Sequence, residues 1–121
     1  MATMDTSTSL TPAVFYILLA LATGEKHGYE IMKQVKQDAS GKVKMGNGTM
    51  YGSLKRMLAD DLIAEAGDRI DSRLDDERRR YYQLTERGRR ALNAEMERYV
   101  ETVSLLHKRN LIAGLSGEAT V

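Results

Sequence analysis

The stretch that decides the fold is residues 47–88, NGTMYGSLKRMLADDLIAEAGDRIDSRLDDERRRYYQLTERG. Its first part predicts a short helix, because apolar residues recur at i, i+4, i+7 and i+8 and therefore share one face. These apolar residues are Met50, Leu54, Met57 and Leu58. The other faces carry small, hydroxyl-bearing and cationic residues, which suit close approach to a phosphate backbone. They are Thr49, Gly52, Ser53, Lys55 and Arg56.

Two short runs after this helix read as β-strands. Residues 62–66 (LIAEA) and 80–84 (RYYQL) flank a polar loop at 67–77, which is the pattern of a β-hairpin. A docking helix followed directly by a hairpin is the order of a winged helix-turn-helix. The predicted fold class is therefore mainly α with a small β-hairpin: a winged helix-turn-helix with a long C-terminal dimerisation helix.

Three segments resemble the motifs of PadR-like transcriptional regulators, in the same order and spacing. They are His27–Glu30 (HGYE), Gly48–Tyr51 (GTMY) and Arg80–Gly88 (RYYQLTERG). The resemblance covers roughly residues 10–110, and it departs from the family at Gly52, where a proline is usual. It implies a DNA-binding regulator that usually represses. It also implies that a small aromatic or lipophilic compound can act as an effector.

Composition narrows the possible classes of function. The 121 residues suffice for one domain with a modest core, and the absence of cysteine excludes disulfides and thiolate chemistry. The longest apolar run, 13–22, is too short to span a bilayer and lacks the features of a signal peptide. We therefore expect a cytoplasmic protein, and the sequence suggests no cofactor and no metal. The net charge is only +1, so any affinity for DNA must come from a local basic patch.

The N-terminal part of the chain predicts a flexible arm and two helices. Residues 1–10 form the polar arm, and residues 11–84 are predicted to form the winged-helix domain. Thr11 caps a first helix from Pro12 to about residue 22. That helix is apolar on nearly all sides, so we expect one side to face its own domain and the other to face a second subunit.

A second helix is predicted over residues 28–38, with Ile31, Met32 and Val35 on its inner face. His27 at its start is either a ligand or base, or, as we favour, a structural residue. Tyr29 either donates its hydroxyl to a DNA phosphate or packs the gap between two helices, and both roles are compatible.

The connection at residues 40–48 contains three glycines and two lysines and leads into the third helix, with Asn47 as its predicted cap. No GKS or GKT follows, which argues against a nucleotide site. We expect the third helix to enter the major groove while other residues hold the backbone. The candidate DNA-binding residues are Tyr29, Lys44, Asn47, Thr49, Tyr51, Ser53, Lys55, Arg56, Arg78, Arg79 and Arg80.

The predicted wing tip is acidic, with six carboxylates between Glu65 and Glu77. Such charge would repel a phosphate backbone. Either the tip swings away from DNA, or the acids pair with Arg69, Arg73 and Arg78. A divalent cation held by these acids is a weaker reading, because acidic runs are usually solvated.

A last helix is predicted over residues 85–112, followed by a tail at 113–121. Apolar residues in it step by 4, 3, 4 and 3, which is a heptad seam and favours a dimer contact over folding back onto its own domain. These residues are Leu92, Met96, Tyr99, Val103 and Leu106. Phe15 and Leu19 of the first helix are predicted to join the dimer contact. Together with Met96 and Tyr99 they are also the candidate effector pocket.

The function predicted from these observations is a homodimeric repressor that binds a double-stranded DNA operator and is released by a small effector. One rival is a winged-helix module that binds proteins and has no sequence-specific affinity for DNA. An enzyme is disfavoured, because the chain has only two histidines, His27 and His107, and no cysteine. His107 lies near the end of the last helix, where a cation complements the helix dipole.

Overall fold

The computed structural model describes residues 10–70 and 78–113, with backbone alone for Arg69, Ile70 and Arg78. Four helices and three strands follow one another in this part of the chain. They are α1 (Pro12–Leu21), β1 (Lys26–His27), α2 (Gly28–Asp38), α3 (Asn47–Ala59), β2 (Ile63–Ile70), β3 (Arg78–Leu84) and α4 (Glu86–Lys108). This order confirms a mainly helical winged helix-turn-helix with a long C-terminal helix.

The sheet has three antiparallel strands in the order β1-β3-β2. The predicted hairpin of β2 and β3 is present, and both strands extend further into the polar stretch than the sequence indicated. The two-residue strand β1 was not predicted; Lys26 pairs with Tyr82 and His27 with Tyr81. A bulge lies between Glu65 and Gly67, where Gly67 has φ +103°, a backbone conformation that favours glycine.

Helix α1 begins as predicted, because the Thr11 side chain accepts a hydrogen bond from the Val14 N–H at 3.2 Å. The single chain covers more of this helix than expected. Its most deeply buried large residues are Ile17, Leu18 and Leu21, whereas Leu19 remains half-buried. Elements α2, α3, β3 and α4 all pack against α1, and the contact with a second subunit stays a prediction for the part of α1 that is half-buried.

Three helices end in the same way, with a non-glycine residue in the left-handed conformation just past the end. These residues are Ser40, Asp61 and Asn110. After α3, the Leu62 N–H donates to the Met57 carbonyl at 2.9 Å, which closes the helix end. The Thr85 hydroxyl then donates to the Asp61 carbonyl at 2.6 Å, so the end of α3 is tied to the start of α4.

The hydrophobic core lies between α1, α2, α3 and the hairpin, and the first turns of α4 close it with Ala91 and Leu92. Gly88 allows this closure, because a Cβ added there would lie 1.9 Å from the Leu62 carbonyl oxygen. Thr85 caps α4 as predicted and accepts a hydrogen bond from the Gly88 N–H at 2.9 Å. We call α1, α2, α3 and the three strands the head. The head and α4 are thus joined through backbone contacts.

Candidate nucleic-acid interface

Helix α3 has a face that points away from the core. Gly48 and Gly52 lie near its centre by helical periodicity, with Lys55 beside them, opposite the buried Met50, Leu54 and Met57 of the core. A Cβ added at Gly48 would meet nothing within 4 Å, and at Gly52 only the tip of Arg56 at 3.7 Å. The backbone of α3 is therefore open to close approach by a large partner.

Cationic and hydroxyl side chains border this face. Thr49, Lys55 and Arg56 are all exposed, as predicted. Arg56 reaches back to the Ser53 hydroxyl, which accepts a hydrogen bond from its Nη2 at 3.3 Å. The four free N–H groups at the start of the helix add positive potential at the same end.

Two residues predicted for this interface occupy other positions. Ser53 is only 3% exposed, because it lies between Met50 and Met57 on the core side of the helix, so its prediction as a groove-facing residue is wrong. Its polar side chain suggested exposure, whereas its position in the helix decides otherwise. Asn47 is exposed but does not cap α3; Gly46 occupies the cap position, without a side-chain hydrogen bond.

Two tyrosines flank the junction between α2 and α3. Tyr29 and Tyr51 are 48% and 50% exposed, so both phenols are available to a partner. The Tyr51 ring lies on Gly28, where an added Cβ would be 2.5 Å from its hydroxyl oxygen. Tyr29 stacks on His27 with ring centroids 6.3 Å apart. Tyr29 thus contacts the cap residue of its own helix and keeps the exposure that a phosphate contact needs.

His27 has the structural role that we favoured. It caps α2: the Glu30 N–H donates to its Nδ1 at 3.2 Å, and the His27 N–H donates to the Glu30 carboxylate at 3.2 Å. This reciprocal arrangement is a capping box. The imidazole is fully buried and meets Tyr81 edge-to-face at 5.3 Å. The cap residue of α2 thus also contacts strand β3 of the hairpin.

The described part of the wing contains one cation between two acids. Arg80 is exposed, and its Nε lies 3.9 Å from Glu65 and 3.7 Å from Asp68. The predicted pairing of wing acids thus involves Arg80, which was not among the expected partners. Arg79 points to the other face and is half-buried.

Much of the predicted wing tip lies outside the described residues. These residues include Asp71, Arg73, Asp75, Asp76 and Glu77, and the side chains of Arg69 and Arg78 also fall outside the description. Beneath the wing, burial raises the pKa of the Tyr82 phenol, although nearby Arg80 acts in the opposite direction. The phenol therefore stays protonated at neutral pH and serves as a neutral core group.

Helix α4 changes character along its length. Leu92 is 1% exposed and belongs to the core of its own chain, so it is wrongly placed in the predicted dimer seam. Beyond Glu95 the helix loses this cover: Met96 and Tyr99 are exposed, and Val103 and Leu106 are half-buried. Further large apolar residues are exposed on the distal half and just after it. They are Val100, Leu105, Leu111 and Ile112.

The four residues of the predicted effector pocket, which stays a prediction for a dimer, differ in burial in the single chain. Phe15 is buried, and its ring meets Tyr99 edge-to-face at 5.1 Å, so these side chains fill the space between them. Leu19 is half-buried in α1. Met96 instead lines a shallow groove on α4 with Val100 and polar neighbours, of about 440 Å³, which does not include Phe15, Leu19 or Tyr99.

A buried carboxylate joins the start of the described chain to α4. Glu95 accepts hydrogen bonds from the Leu10 N–H at 3.3 Å and from the Arg98 guanidinium. Burial raises the pKa of Glu95, but the hydrogen bonds from Arg98, Tyr99 and Leu10 together outweigh this effect and hold the pKa below its ordinary value. The sequence did not reveal this cluster, since Glu95 looks like any surface acid of a long helix.

Neither a metal centre nor a membrane span is found in the part of the chain that the structure describes. No three His, Asp or Glu side chains in residues 10–70 and 78–113 lie close enough to hold a metal ion. Within the same residues, none of the helices combines the length and the apolar character needed to cross a bilayer.

Comparisons with known proteins agree with this architecture. A PadR family transcription regulator from hypervirulent Clostridium difficile R20291 is 28% identical, with a TM-score of 0.66; the alignment covers 81% of this chain and 97% of that one. A PadR-like transcriptional regulator from Bacillus cereus is 22% identical, with a TM-score of 0.64, covering 78% and 87%. None of the curated proteins matches the chain.

A third similar structure is that of Bacillus subtilis PadR in complex with operator DNA. It is 22% identical, with a TM-score of 0.59, and the alignment covers 71% of this chain and 46% of that one. The sequence model of the transcriptional regulator PadR-like family matches residues 17–94, which is more than half of the chain. Together with the winged-helix fold, this match shows that the chain belongs to the PadR-like family of transcriptional regulators.

Proposed function

We propose that this regulator binds a specific double-stranded DNA operator as a homodimer, represses transcription, and is released by a small lipophilic or aromatic effector. The observation that carries the DNA-binding part is the exposed face of α3, where an accessible backbone at Gly48 and Gly52 lies beside Lys55 and Arg56. Such a regulator would act in the cytoplasm, with its DNA.

The geometry suggests how α3 would dock. With no side chain at Gly48 and Gly52, the helix axis can come closer to the floor of a major groove than a helix with long residues there. Thr49, Lys55 and Arg56 lie beside these two glycines and would reach base edges or the nearest phosphates. The fold relative from Bacillus subtilis was solved with operator DNA, which supports the same use of the fold.

Backbone contacts would come from residues around α3. The half-exposed phenols of Tyr29 and Tyr51 and the exposed Lys44 are suited to phosphate contacts at the start of the helix. To contact DNA, the exposed Arg80 of the wing would have to leave the carboxylates of Glu65 and Asp68 and bind a phosphate instead. Because exposed ion pairs contribute only about 0–1 kcal/mol, this exchange costs little.

The dimer part of the proposal rests on the apolar residues that α4 exposes. Met96, Tyr99, Val100 and Leu105 are large, apolar and uncovered in the single chain. A symmetric contact of two such helices would hide them and relate the two α3 helices by a two-fold axis. The half-sites would then be about 34–36 Å apart, or a multiple of this distance.

The alternative is a winged-helix module that binds a protein. Its support is the pairing of Arg80 with Glu65 and Asp68, which lowers the positive charge of the wing, together with a net charge of only +1. The two functions differ in salt dependence. Binding to phosphates releases counterions and weakens steeply as salt rises, whereas an apolar protein contact does not.

A DNA-binding experiment tests the main proposal. In vitro selection from random duplexes would yield an operator, and fluorescence anisotropy would give its dissociation constant over a range of salt. We expect Lys55→Ala with Arg56→Ala to weaken binding and to lower the salt slope by about two, or about one per lost phosphate contact. The matched control is Lys108→Ala with Arg109→Ala, which removes the same charge from the end of α4. Unchanged affinity and slope in the first variant would exclude α3 from the interface.

Dimerisation is tested separately by Met96→Asp, which places a carboxylate among the exposed apolar residues of α4. We expect a monomer by analytical ultracentrifugation, because burying an unpaired charge costs several kcal/mol. The monomer should also bind the operator weakly, since its two half-site contacts are no longer linked. Asn93→Asp, one turn earlier on an exposed position, is the control. A stable dimer of Met96→Asp that still binds its operator would contradict this assignment.

A further inference from the structure

The guanidinium of Arg56 is held in one place on the exposed face of α3. Its Nη2 donates a hydrogen bond to the Ser53 hydroxyl at 3.3 Å, and its Nη1 lies 3.7 Å from the position of a Cβ added at Gly52. The side chain therefore folds back over the preceding turn of the helix instead of extending into solvent. Its charged end lies beside Gly52, near the centre of the face that points away from the core.

The anchor of this guanidinium is itself fixed. Ser53 is only 3% exposed and lies in the middle of α3, so its hydroxyl has little freedom to move. Arg56 by contrast is exposed, and in the part of the chain that the structure describes no carboxylate lies within ion-pair distance of it. A buried hydroxyl thus limits the rotamers of an arginine that no acid among those residues neutralises. A side chain that is ordered in advance loses less conformational entropy when it binds.

The guanidinium retains a complete pair of donors after this contact. Arginine has five N–H groups in one plane, and Nη2 carries two of them. If Ser53 accepts from the N–H on the Nε side, the parallel N–H groups of Nη1 and Nη2 remain. If it accepts from the other, the parallel N–H groups of Nε and Nη2 remain. In both cases two N–H groups are available to two neighbouring acceptors.

Two neighbouring acceptors on one base edge in the major groove are found on guanine. Its O6 and N7 both accept, whereas adenine presents an N6 donor next to its N7 acceptor, and this donor would face an N–H group of the arginine. Phosphate oxygens also accept paired hydrogen bonds, but they line the walls of the groove. The guanidinium lies beside Gly52, where the open backbone of α3 lets the centre of the face approach the base edges. This position favours a base edge over a phosphate.

We propose that Arg56 recognises a guanine in the operator half-site that α3 occupies, and that Ser53 positions the guanidinium for this contact. The assignment rests on the proposed function, since it requires α3 in the major groove. Ser53 does not contact DNA in this arrangement and acts through Arg56. The neighbouring Lys55 carries a compact ammonium with no paired donors and suits a phosphate instead.

Binding to duplexes with altered guanines tests this assignment, using the full chain and the operator obtained by selection. Each guanine of a half-site is replaced in turn by 7-deazaguanine, which keeps O6 and its base pairing but lacks the N7 acceptor. We expect one replacement to weaken binding of the wild-type protein about tenfold by fluorescence anisotropy, as loss of a bidentate contact predicts. The same replacement outside the half-sites is the control and should leave the affinity unchanged.

Two variants assign the contact to its residues. Arg56→Lys keeps the charge but not the paired donors, so it should bind the normal and the modified operator equally. Ser53→Ala should reduce the penalty for 7-deazaguanine from about tenfold to about threefold, while the salt slope stays the same because no charge is lost. Ser53→Thr restores the hydroxyl and should restore the full penalty. The matched control is Ser104→Ala, which removes an exposed hydroxyl from α4 and should behave as the wild-type protein does.

The possible failures separate this assignment from the proposed function. Sequence-specific binding that no 7-deazaguanine weakens would overturn the guanine contact and leave the proposed function in place. A penalty that persists in Arg56→Lys would give the guanine to another residue. The full penalty in Ser53→Ala would overturn the positioning role of the hydroxyl. No affinity for any duplex would overturn the proposed function, and this assignment with it.

Discussion

The contact between Gly88 and Leu62 gives a test of how the head is joined to α4. In Gly88→Ala the new methyl carbon would lie 1.9 Å from the Leu62 carbonyl oxygen. Reaching even the shortest acceptable separation, 3.0 Å, requires α4 to move by about 1.1 Å relative to the end of α3. The neighbouring atoms are backbone, so no side-chain rotation can relieve the contact.

The size of the effect follows from the contacts that such a movement disturbs. Overpacking costs about 1–3 kcal/mol. Two hydrogen bonds cross the same junction, from the Thr85 hydroxyl to Asp61 and from the Thr85 N–H to Leu62, each worth about 1 kcal/mol. Alanine regains about 1 kcal/mol as a better helix former. The free energy of unfolding should therefore fall by about 2–4 kcal/mol, which lowers the Tm by roughly 8–16 °C.

Urea unfolding followed by circular dichroism measures this loss, with Gly52→Ala as the matched control. The added methyl in α3 meets only Arg56 at 3.7 Å, so this variant should gain about 0.5–1 kcal/mol of stability. It should nevertheless bind the operator more weakly, because the methyl lies on the face that approaches DNA. Gly88→Ala with the stability of the wild-type protein would refute the reasoning about the junction.

Three further outcomes are expected. Glu65→Gln with Asp68→Asn frees Arg80, so the DNA affinity measured by anisotropy should rise about two- to fivefold, and an unchanged affinity would place this cation away from DNA. The pKa of Glu95 is lower in the folded chain than its ordinary value of 4.5. Its stabilising effect is therefore present above pH 4.5 and is lost as the pH falls through the folded value, so urea unfolding should separate Glu95→Gln from the wild-type protein at pH 7 and not at strongly acidic pH. His27→Ala removes a helix cap and a buried ring and should cost at least about 1 kcal/mol by urea unfolding, whereas His27→Asn should retain part of the cap.

The exposed distal half of α4 and the largely buried α1 indicate where a second copy would pack in the proposed dimer. Because α1 is already packed on most sides, a second copy contributes little to the core of the head. In the proposed dimer it would instead cover the distal residues of α4, where Val100 is 65% exposed. Dissociation should therefore leave a folded head, which is why dimerisation and stability can be measured separately by Met96→Asp.

Local sequence signals determined much of this protein. The caps at Thr11 and Thr85 and the apolar period of α3 depend on neighbours within a few residues, and the structure confirms each of them. The same is true of the family, because its motifs follow one another along the chain. Residue type was a weaker guide: it placed Ser53 outside, whereas the helical phase places it in the core.

Only the tertiary structure decided which surfaces remain free. Leu92 and Met96 belong to one heptad pattern, yet Leu92 is buried by its own head and Met96 is exposed, because α4 leaves the head between them. The buried Glu95 carboxylate accepts a hydrogen bond from the Leu10 N–H, 85 residues away in the chain. A groove of about 610 Å³ between α2 and the connection to α3 likewise needs these two segments to fold against each other. Burial and charge at these positions come from distant residues, which periodicity along a sequence does not encode.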